Sequence, residues 1–273
     1  MTLESTAGFL QVDGSRLEFR WIGPGPAEAA TLVFLHEGLG CVDLWKDFPD
    51  RLVERTGLGA MVYSRPGYGR SDPVEDLLAV DYHLTEALEV LPKVLEAAQV
   101  QRAVLVGTSD GGTISLMYVG SGRETDAWTG QIDGVISMAA HVFNEDITIR
   151  GIREAREAYE TTGIREKLAR YHGGNVDWAF WSWCNVWLSP EFRDWNVERY
   201  LPGITVPVLV LQGEDDHYGS VAQVDAIARQ VSGPVETVMI PDCGHSPYLE
   251  QPEATLDAMA GFIDRFITGR TTV

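Results

Sequence analysis

From Gly8 to Ile22, apolar and polar positions alternate on either side of Asp13-Gly14. An Asp-Gly pair between two alternating runs predicts a β-hairpin. Downstream the pattern changes to short unbroken apolar runs bounded by turn residues: Thr31 to Leu35, Ala60 to Tyr63, Ala103 to Val106, Val135 to Met138, Val208 to Leu211 and Thr237 to Ile240. Runs of that kind suit strands buried on both faces. Between them lie stretches with helical spacing, at Leu44 to Arg55, Tyr82 to Ala98, Gly112 to Val119, Val221 to Val231 and Ala254 to Ile267, with Pro92 predicting a kink or late start in the second. Strand and helix in alternation predict an α/β fold with a mostly parallel central sheet and helices on both faces.

The alternation stops between about His141 and Leu201, where helical patterns such as Ile152 to Tyr159 and Ile164 to Tyr171 follow one another without a convincing strand. The expected organisation is a core in two parts, 1–141 and 202–273, interrupted by a helical cap over 142–201. Five of the eight tryptophans (Trp178, Trp181, Trp183, Trp187 and Trp195) fall in this stretch. Large aromatics so concentrated serve either as a local core or as the roof of a pocket. Trp181 and Trp187 are the expected pocket-facing pair.

Composition narrows the function classes. A chain of 273 residues is long enough to enclose a water-excluding site. Forty acidic against 21 basic residues give a formal charge of -19, which repels phosphate backbones and anionic lipid surfaces, so neither nucleic acid nor a membrane is an expected partner. The start, Met1-Thr2-Leu3-Glu4-Ser5-Thr6, lacks a basic region followed by an apolar run, and no apolar stretch approaches the ~20 residues needed to span a bilayer. A cytoplasmic protein is expected. Cys41, Cys184 and Cys243 are odd in number and lack zinc-site spacing, so they are expected to be reduced. Neither Gly38-Leu39-Gly40 nor Gly67-Tyr68-Gly69 extends to a nucleotide-binding motif, so no cofactor and no metal are implied.

The chemistry gathers around Gly107-Thr108-Ser109-Asp110-Gly111, a G-x-S-x-G sequence directly after the Ala103 to Val106 run and before a helical one. In that setting the glycines permit a sharp turn that lifts the Ser109 hydroxyl above the carboxyl end of the sheet. A capped helix start would use the same residues, with Ser109 and Asp110 as caps. A serine hydroxyl is a weak nucleophile at neutral pH and needs a base, which in turn needs an orienting group. His245, in Pro241-Asp242-Cys243-Gly244-His245-Ser246-Pro247 just past the last strand, is placed to be that base. His141 ends a strand and is a candidate pocket wall. Gln212-Gly213-Glu214-Asp215-Asp216-His217 follows another strand and offers either Asp215 or Asp216 as the acid.

With these segments in order, the chain resembles the α/β-hydrolase family from Leu32 to about Phe266. The family's spacing, with its acid three residues after the glycine that ends the strand, implies Asp216. The resulting order Ser109, Asp216, His245 is that of the family. Glu250-Gln251-Pro252-Glu253 after Gly244-His245 is similar to the family's closing helix, and Tyr63-Ser64-Arg65-Pro66-Gly67-Tyr68-Gly69-Arg70-Ser71 to its turn after the fourth strand. The second implies an architectural turn. His36-Glu37-Gly38-Leu39-Gly40 resembles the family's oxyanion loop, with Glu37 standing where a glycine is usual. The resemblance implies that the amides of Gly38 and Asp110 form the oxyanion hole. Two acidic residues beside such a hole oppose the charge that it stabilises unless they are neutralised or turned away. One of the two, Glu37 or Asp110, is otherwise expected to influence His245 or to hydrogen-bond a polar substrate group.

The implied reaction is acyl transfer to water, most simply hydrolysis of a carboxylic ester of a medium-sized apolar or aromatic small molecule. Carbon–carbon bond hydrolysis of ring-cleavage diketones and thioester hydrolysis use similar sites. Many of the diketone hydrolases carry a tryptophan directly after the histidine, where this chain has Ser246. Aspartate-dependent dehalogenase or epoxide chemistry is disfavoured because Ser109, not Asp110, occupies the nucleophile position. A ligand-sensing protein on the same scaffold is the alternative without catalysis.

Overall fold

The computed structural model describes residues 4–27, 29–122 and 127–269. The opening Met1-Thr2-Leu3 considered above lies outside the described residues. The Asp-Gly expectation holds: β1 (Ser5–Val12) and β2 (Ser15–Ile22) pair antiparallel, and Asp13 and Gly14 turn between them with φ of 50° and 82°. That pair of positive φ values matches the hairpin turn whose twist suits the flanking strands.

Each of the six apolar runs forms a strand: β3 (Thr31–Leu35), β4 (Gly59–Tyr63), β5 (Arg102–Thr108), β6 (Gln131–Met138), β7 (Val208–Gly213) and β8 (Val235–Ile240). With the hairpin they form one eight-stranded sheet in the order β1-β2-β4-β3-β5-β6-β7-β8, parallel from β4 onward. Leu32, Phe34, Val104 and Val106 pack on one face, and Val33, Leu35, Ala103 and Leu105 on the other. The lack of alternation in the central runs thus reflects two hydrophobic layers. β8 departs from this expectation: it is an edge strand, and only Ile240 within it is fully buried.

The helical stretches are more broken than their spacing predicts. The first is split into a single 3₁₀ turn and α1 (Phe48–Thr56), because Lys46 takes a φ of 55° and Pro49 sets the new first turn. The second comprises α2 (Tyr82–Thr85), a π turn over Glu86–Val90 and α3 (Leu91–Ala97), so Pro92 falls in the first turn of a restarted helix. α4 (Asp110–Gly120) follows β5. Between β6 and β7 lie α5 (Asp146–Thr161), α6 (Ile164–His172) and α7 (Val176–Leu188). α8 (Val221–Gln230) joins β7 to β8, and α9 (Pro247–Glu250) and α10 (Pro252–Ile263) follow β8. Among the described residues no helix is long and apolar enough to cross a membrane.

The three helices between β6 and β7 have a core of their own, built from Ile152, Tyr159, Val176, Phe180, Trp183, Trp187 and Phe192. They are also bonded to the loops at the carboxyl end of the sheet. His172 accepts from the Gly69 amide at 3.0 Å through Nδ1 and donates from Nε2 to the Leu39 carbonyl at 3.0 Å. Asn175 donates to the Ser71 carbonyl, and Trp178 to that of Asp76.

Candidate active site

Ser109 sits between β5 and α4 with φ 49° and ψ -117°, a backbone conformation that costs a residue with a Cβ about 1–3 kcal/mol. The surroundings enforce it. A Cβ on Gly107 would lie 2.2 Å from the Gly111 carbonyl, and one on Gly111 would lie 2.0 Å from that of Leu35. Strand and helix therefore approach closer than any other residue permits. The Ser109 amide is anchored to the Met138 carbonyl at 2.8 Å, and the side chain faces a cavity of about 160 Å³.

Asp216 leaves the loop after β7 buried, accepting from the amides of Tyr218 at 2.8 Å and Gly219 at 3.2 Å. Its two oxygens each lie 2.9 Å from Nδ1 of His245, which fixes the proton of the imidazole on that nitrogen. Burial alone would raise the Asp216 carboxyl, but the bond and charge of His245 and the Tyr218 amide hold it below the ordinary carboxylate range. Asp215, the other carboxylate open to choice in the sequence, is exposed and uses its amide on the Cys243 carbonyl. His245 and Ser109 line the same cavity with no hydrogen bond between them, a looseness common in catalytic pairs before substrate arrives.

The cavity is completed by Glu37, Gly38, Leu39, His141, Thr148, Ile152, Trp183, Trp187 and Tyr218. Of the expected pocket residues, Glu37, His141 and Trp187 are therefore present. Trp181 is not: it packs edge-on against Tyr159 and Phe180, 5.7 Å and 5.2 Å between ring centroids, with Arg156 over its face. Helical periodicity explains the exchange. Trp183 and Trp187 are four residues apart on α7 and share its inner face, which Trp181 does not. The Trp183 indole lies directly on Gly38, where any Cβ would come within 2.3 Å of it.

His141 donates from Nε2 to the Tyr218 carbonyl at 3.1 Å, and burial lowers its pKa to about 4, so it is a neutral wall. Burial raises the Glu37 carboxyl despite the nearby charges of His245 and Arg65; one of its oxygens meets the Tyr248 hydroxyl at 3.4 Å and the other has no partner. The Asp110 side chain turns away from the cavity. It accepts from Tyr82 at 2.7 Å and from His83 Nε2 at 3.3 Å, with the Arg65 guanidinium at 3.6 Å, all buried. Burial would raise its pKa, but His83, Arg65 and Tyr82 bring it well below the usual range.

Sequence reasoning missed Leu39, Thr148, Ile152, Trp183 and Tyr218 as walls, and Arg65, Tyr82 and His83 as partners of Asp110. One usable signal was Arg65 itself, a charge two residues past a fully buried strand. The three cysteines are free and buried, and burial pushes the thiols of Cys41, Cys184 and Cys243 up to about 12, 11 and 11. No cluster suited to a metal ion occurs among the described residues.

A parallel sheet with its polar cluster above the carboxyl ends of the strands is the architecture of an α/β hydrolase. The sequence pattern of the Alpha/beta hydrolase family matches residues 32–258, and the chain belongs to that family. It is 23% identical over 254 residues to the mouse protein ABHD14A, covering 92% of this chain and 77% of that one. Among solved structures it resembles an esterase of Exiguobacterium antarcticum (TM-score 0.72, 20% identity, 95% of this chain and 100% of that one). It also resembles a proline iminopeptidase of Mycobacterium smegmatis (TM-score 0.71, 17% identity, 97% and 100%).

Proposed function

We propose that this hydrolase cleaves carboxylic esters through an acyl-enzyme on Ser109, with His245 as the base and Asp216 as its orienting acid. The observation that carries the reading is the strained Ser109 facing the same cavity as an imidazole whose far nitrogen is committed to a buried carboxylate. His245 takes the Ser109 proton as the hydroxyl attacks the carbonyl carbon. The oxyanion lies toward the amides of Gly38 and Asp110, neither of which is hydrogen-bonded within the fold. Collapse expels the alcohol, protonated by His245, and water activated by the same imidazole releases the acid.

A cavity of about 160 Å³ holds a group near the size of a benzene ring, which selects the smaller members of the apolar and aromatic class for the acyl portion. Its lining contains no Lys or Arg, so a phosphorylated thioester carrier finds no countercharge there. The helices over 142–201 act as the cap in this reading, supplying Trp183 and Trp187. Three buried free thiols accord with a reducing, cytoplasmic setting.

The test is a series of p-nitrophenyl esters of increasing acyl length beside a vinylogous diketone, with Ser109→Ala as blank and a fluorophosphonate probe for labelling. Turnover of short and benzoyl esters, with labelling lost in Ser109→Ala and in His245→Ala, is expected. Turnover of the diketone alone, or labelling indifferent to His245, overturns the reading.

A further inference from the structure

Arg65 is fully buried and stands behind both amides of the proposed oxyanion hole at once. Its guanidinium donates to the Glu37 carbonyl at 3.0 Å and lies 3.6 Å from the Asp110 carboxylate. Its backbone amide also donates to Nε2 of His36 at 3.0 Å. That bond leaves the imidazole proton on Nδ1, which lies 2.6 Å from the same Glu37 carbonyl. Arg65 thus supplies one hydrogen bond to this carbonyl and sets the tautomer that supplies a second, beside a third from the Gly40 amide at 3.1 Å.

The peptide between Glu37 and Gly38 is trans, as are all peptides among the described residues. In a trans peptide the N–H points opposite to the C=O. With its carbonyl held on the Arg65 side, the Gly38 amide points away from Arg65, and Gly38, lacking a side chain, lines the cavity with backbone alone. Three donors on one carbonyl, the charged one from Arg65, polarise the whole peptide and strengthen its N–H as a donor. On the other side, the same cation offsets the Asp110 carboxylate, whose own amide directly follows Ser109. Glu86 also faces the guanidinium, and Tyr68 lies beneath it with its ring centroid 4.7 Å from Cζ.

We propose, resting on the ester-hydrolase reading above, that Arg65 is the positioning residue of the oxyanion hole, orienting and polarising the Gly38 amide and cancelling the negative charge of Asp110. Two of its nitrogens, Nε and Nη1, have no hydrogen-bond partner. A buried cation left part-unpaired is a costly way to fill space and a useful way to hold a potential. The assignment also accounts for an acidic residue directly after the nucleophile, which would otherwise oppose the charge formed on the substrate.

The experiment compares the native protein with Arg65→Lys and Arg65→Met. The readouts are kcat and KM on p-nitrophenyl acetate and inhibition by two compounds: a small trifluoromethyl ketone, which forms a tetrahedral oxyanion on Ser109, and an ether isostere, which does not. In Arg65→Met, kcat is expected to fall by about 10- to 100-fold at nearly constant KM. The ketone should weaken by the same factor and the ether by less than about twofold, with Arg65→Lys between native and Met. A purely structural Arg65 weakens both inhibitors alike or leaves kcat intact, and either result overturns the proposal. If neither variant folds, the Arg65 side-chain NMR signals of the native protein carry the test: they shift with the ketone adduct but not with the ether, and signals unmoved by the adduct overturn the assignment. A native protein that neither turns over esters nor reacts with the ketone refutes instead the ester-hydrolase reading.

Discussion

Ser109 stands between two buried aspartates, each bonded to a histidine, and the two couples differ in what surrounds the imidazole. The Asp216–His245 pair is 2.9 Å apart, and the His245 side chain keeps 15% of its surface exposed, along the cavity wall. The Asp110–His83 pair is 3.3 Å apart, and His83 is sealed beneath Trp187, Phe192 and Trp195 with 1% exposed. The first histidine offers a free edge to a reacting group. The second has none to offer, because its remaining nitrogen is buried without a partner and burial lowers its pKa. In the proposed mechanism identical functional groups thus serve as a proton relay in one place and a scaffold in the other, and access rather than residue type separates them.

The sharpest way to break this contrast is to neutralise each aspartate. Asp216→Asn should lower kcat by about 10⁴-fold, since the amide stabilises the wrong imidazole tautomer, while thermal stability changes little. Asp110→Asn takes the carboxylate 3.6 Å from Arg65 out of a dry interior. It should cost on the order of 3–5 kcal/mol of stability, with a rate loss of only about 10- to 100-fold, read from denaturant unfolding beside the same ester assay. Equal rate losses in the two variants would dissolve the distinction.

A second test concerns the walls. Trp183 presses on Gly38 in the cavity wall, so Trp183→Ala should enlarge the cavity and shift preference toward longer acyl chains, raising kcat/KM for octanoyl over acetyl esters by about 10-fold. Trp181→Ala, outside the cavity, should leave that ratio within about twofold. A ratio moved by Trp181 and not by Trp183 would invert the assignment.

A third test is one of pH. Burial raises the Glu86 carboxyl to about 7, against the opposing charge of Arg65. A carboxyl with a raised folded pKa keeps its proton in the native state while the unfolded chain has already lost it. Stability therefore declines as pH rises from about 4.5 to 7, by up to roughly 3 kcal/mol for this group. Glu86→Gln should remove that decline, so its advantage over the native protein grows from pH 5 to pH 8 in urea unfolding. Parallel stability curves for the two proteins would place Glu86 outside the network.

The sequence carried the sheet well, because every buried strand had to be a continuous apolar run with a turn at each end. β8 was legible as a strand but not as an edge, since Thr237 to Ile240 is apolar enough to suit either position. The meeting of Ser109, His245 and Asp216 around one cavity could be anticipated because strand ends leave few places for such side chains to converge. The cavity walls were harder. Trp181 and Trp183 are equally aromatic neighbours, and only the rotation of α7 about its axis separates the one that meets Gly38 from the one that stacks outside. Arg65 was hidden for another reason: its partners Glu37, Asp110 and Glu86 come from three separate segments, and a charge in a glycine-rich turn looks solvated until those segments close around it.

His172 gives the helical insertion a latch. A single neutral imidazole spends both nitrogens on the chain below, accepting at Gly69 and donating at Leu39, so α6 cannot lift as a rigid lid without breaking both bonds. Any motion of α6 away from these loops must give up both bonds together, and collective motions of that kind take microseconds or longer. The latch has one chemical release, a proton on Nδ1, and burial of the ring holds that proton off until the solution is more acidic than an ordinary histidine requires.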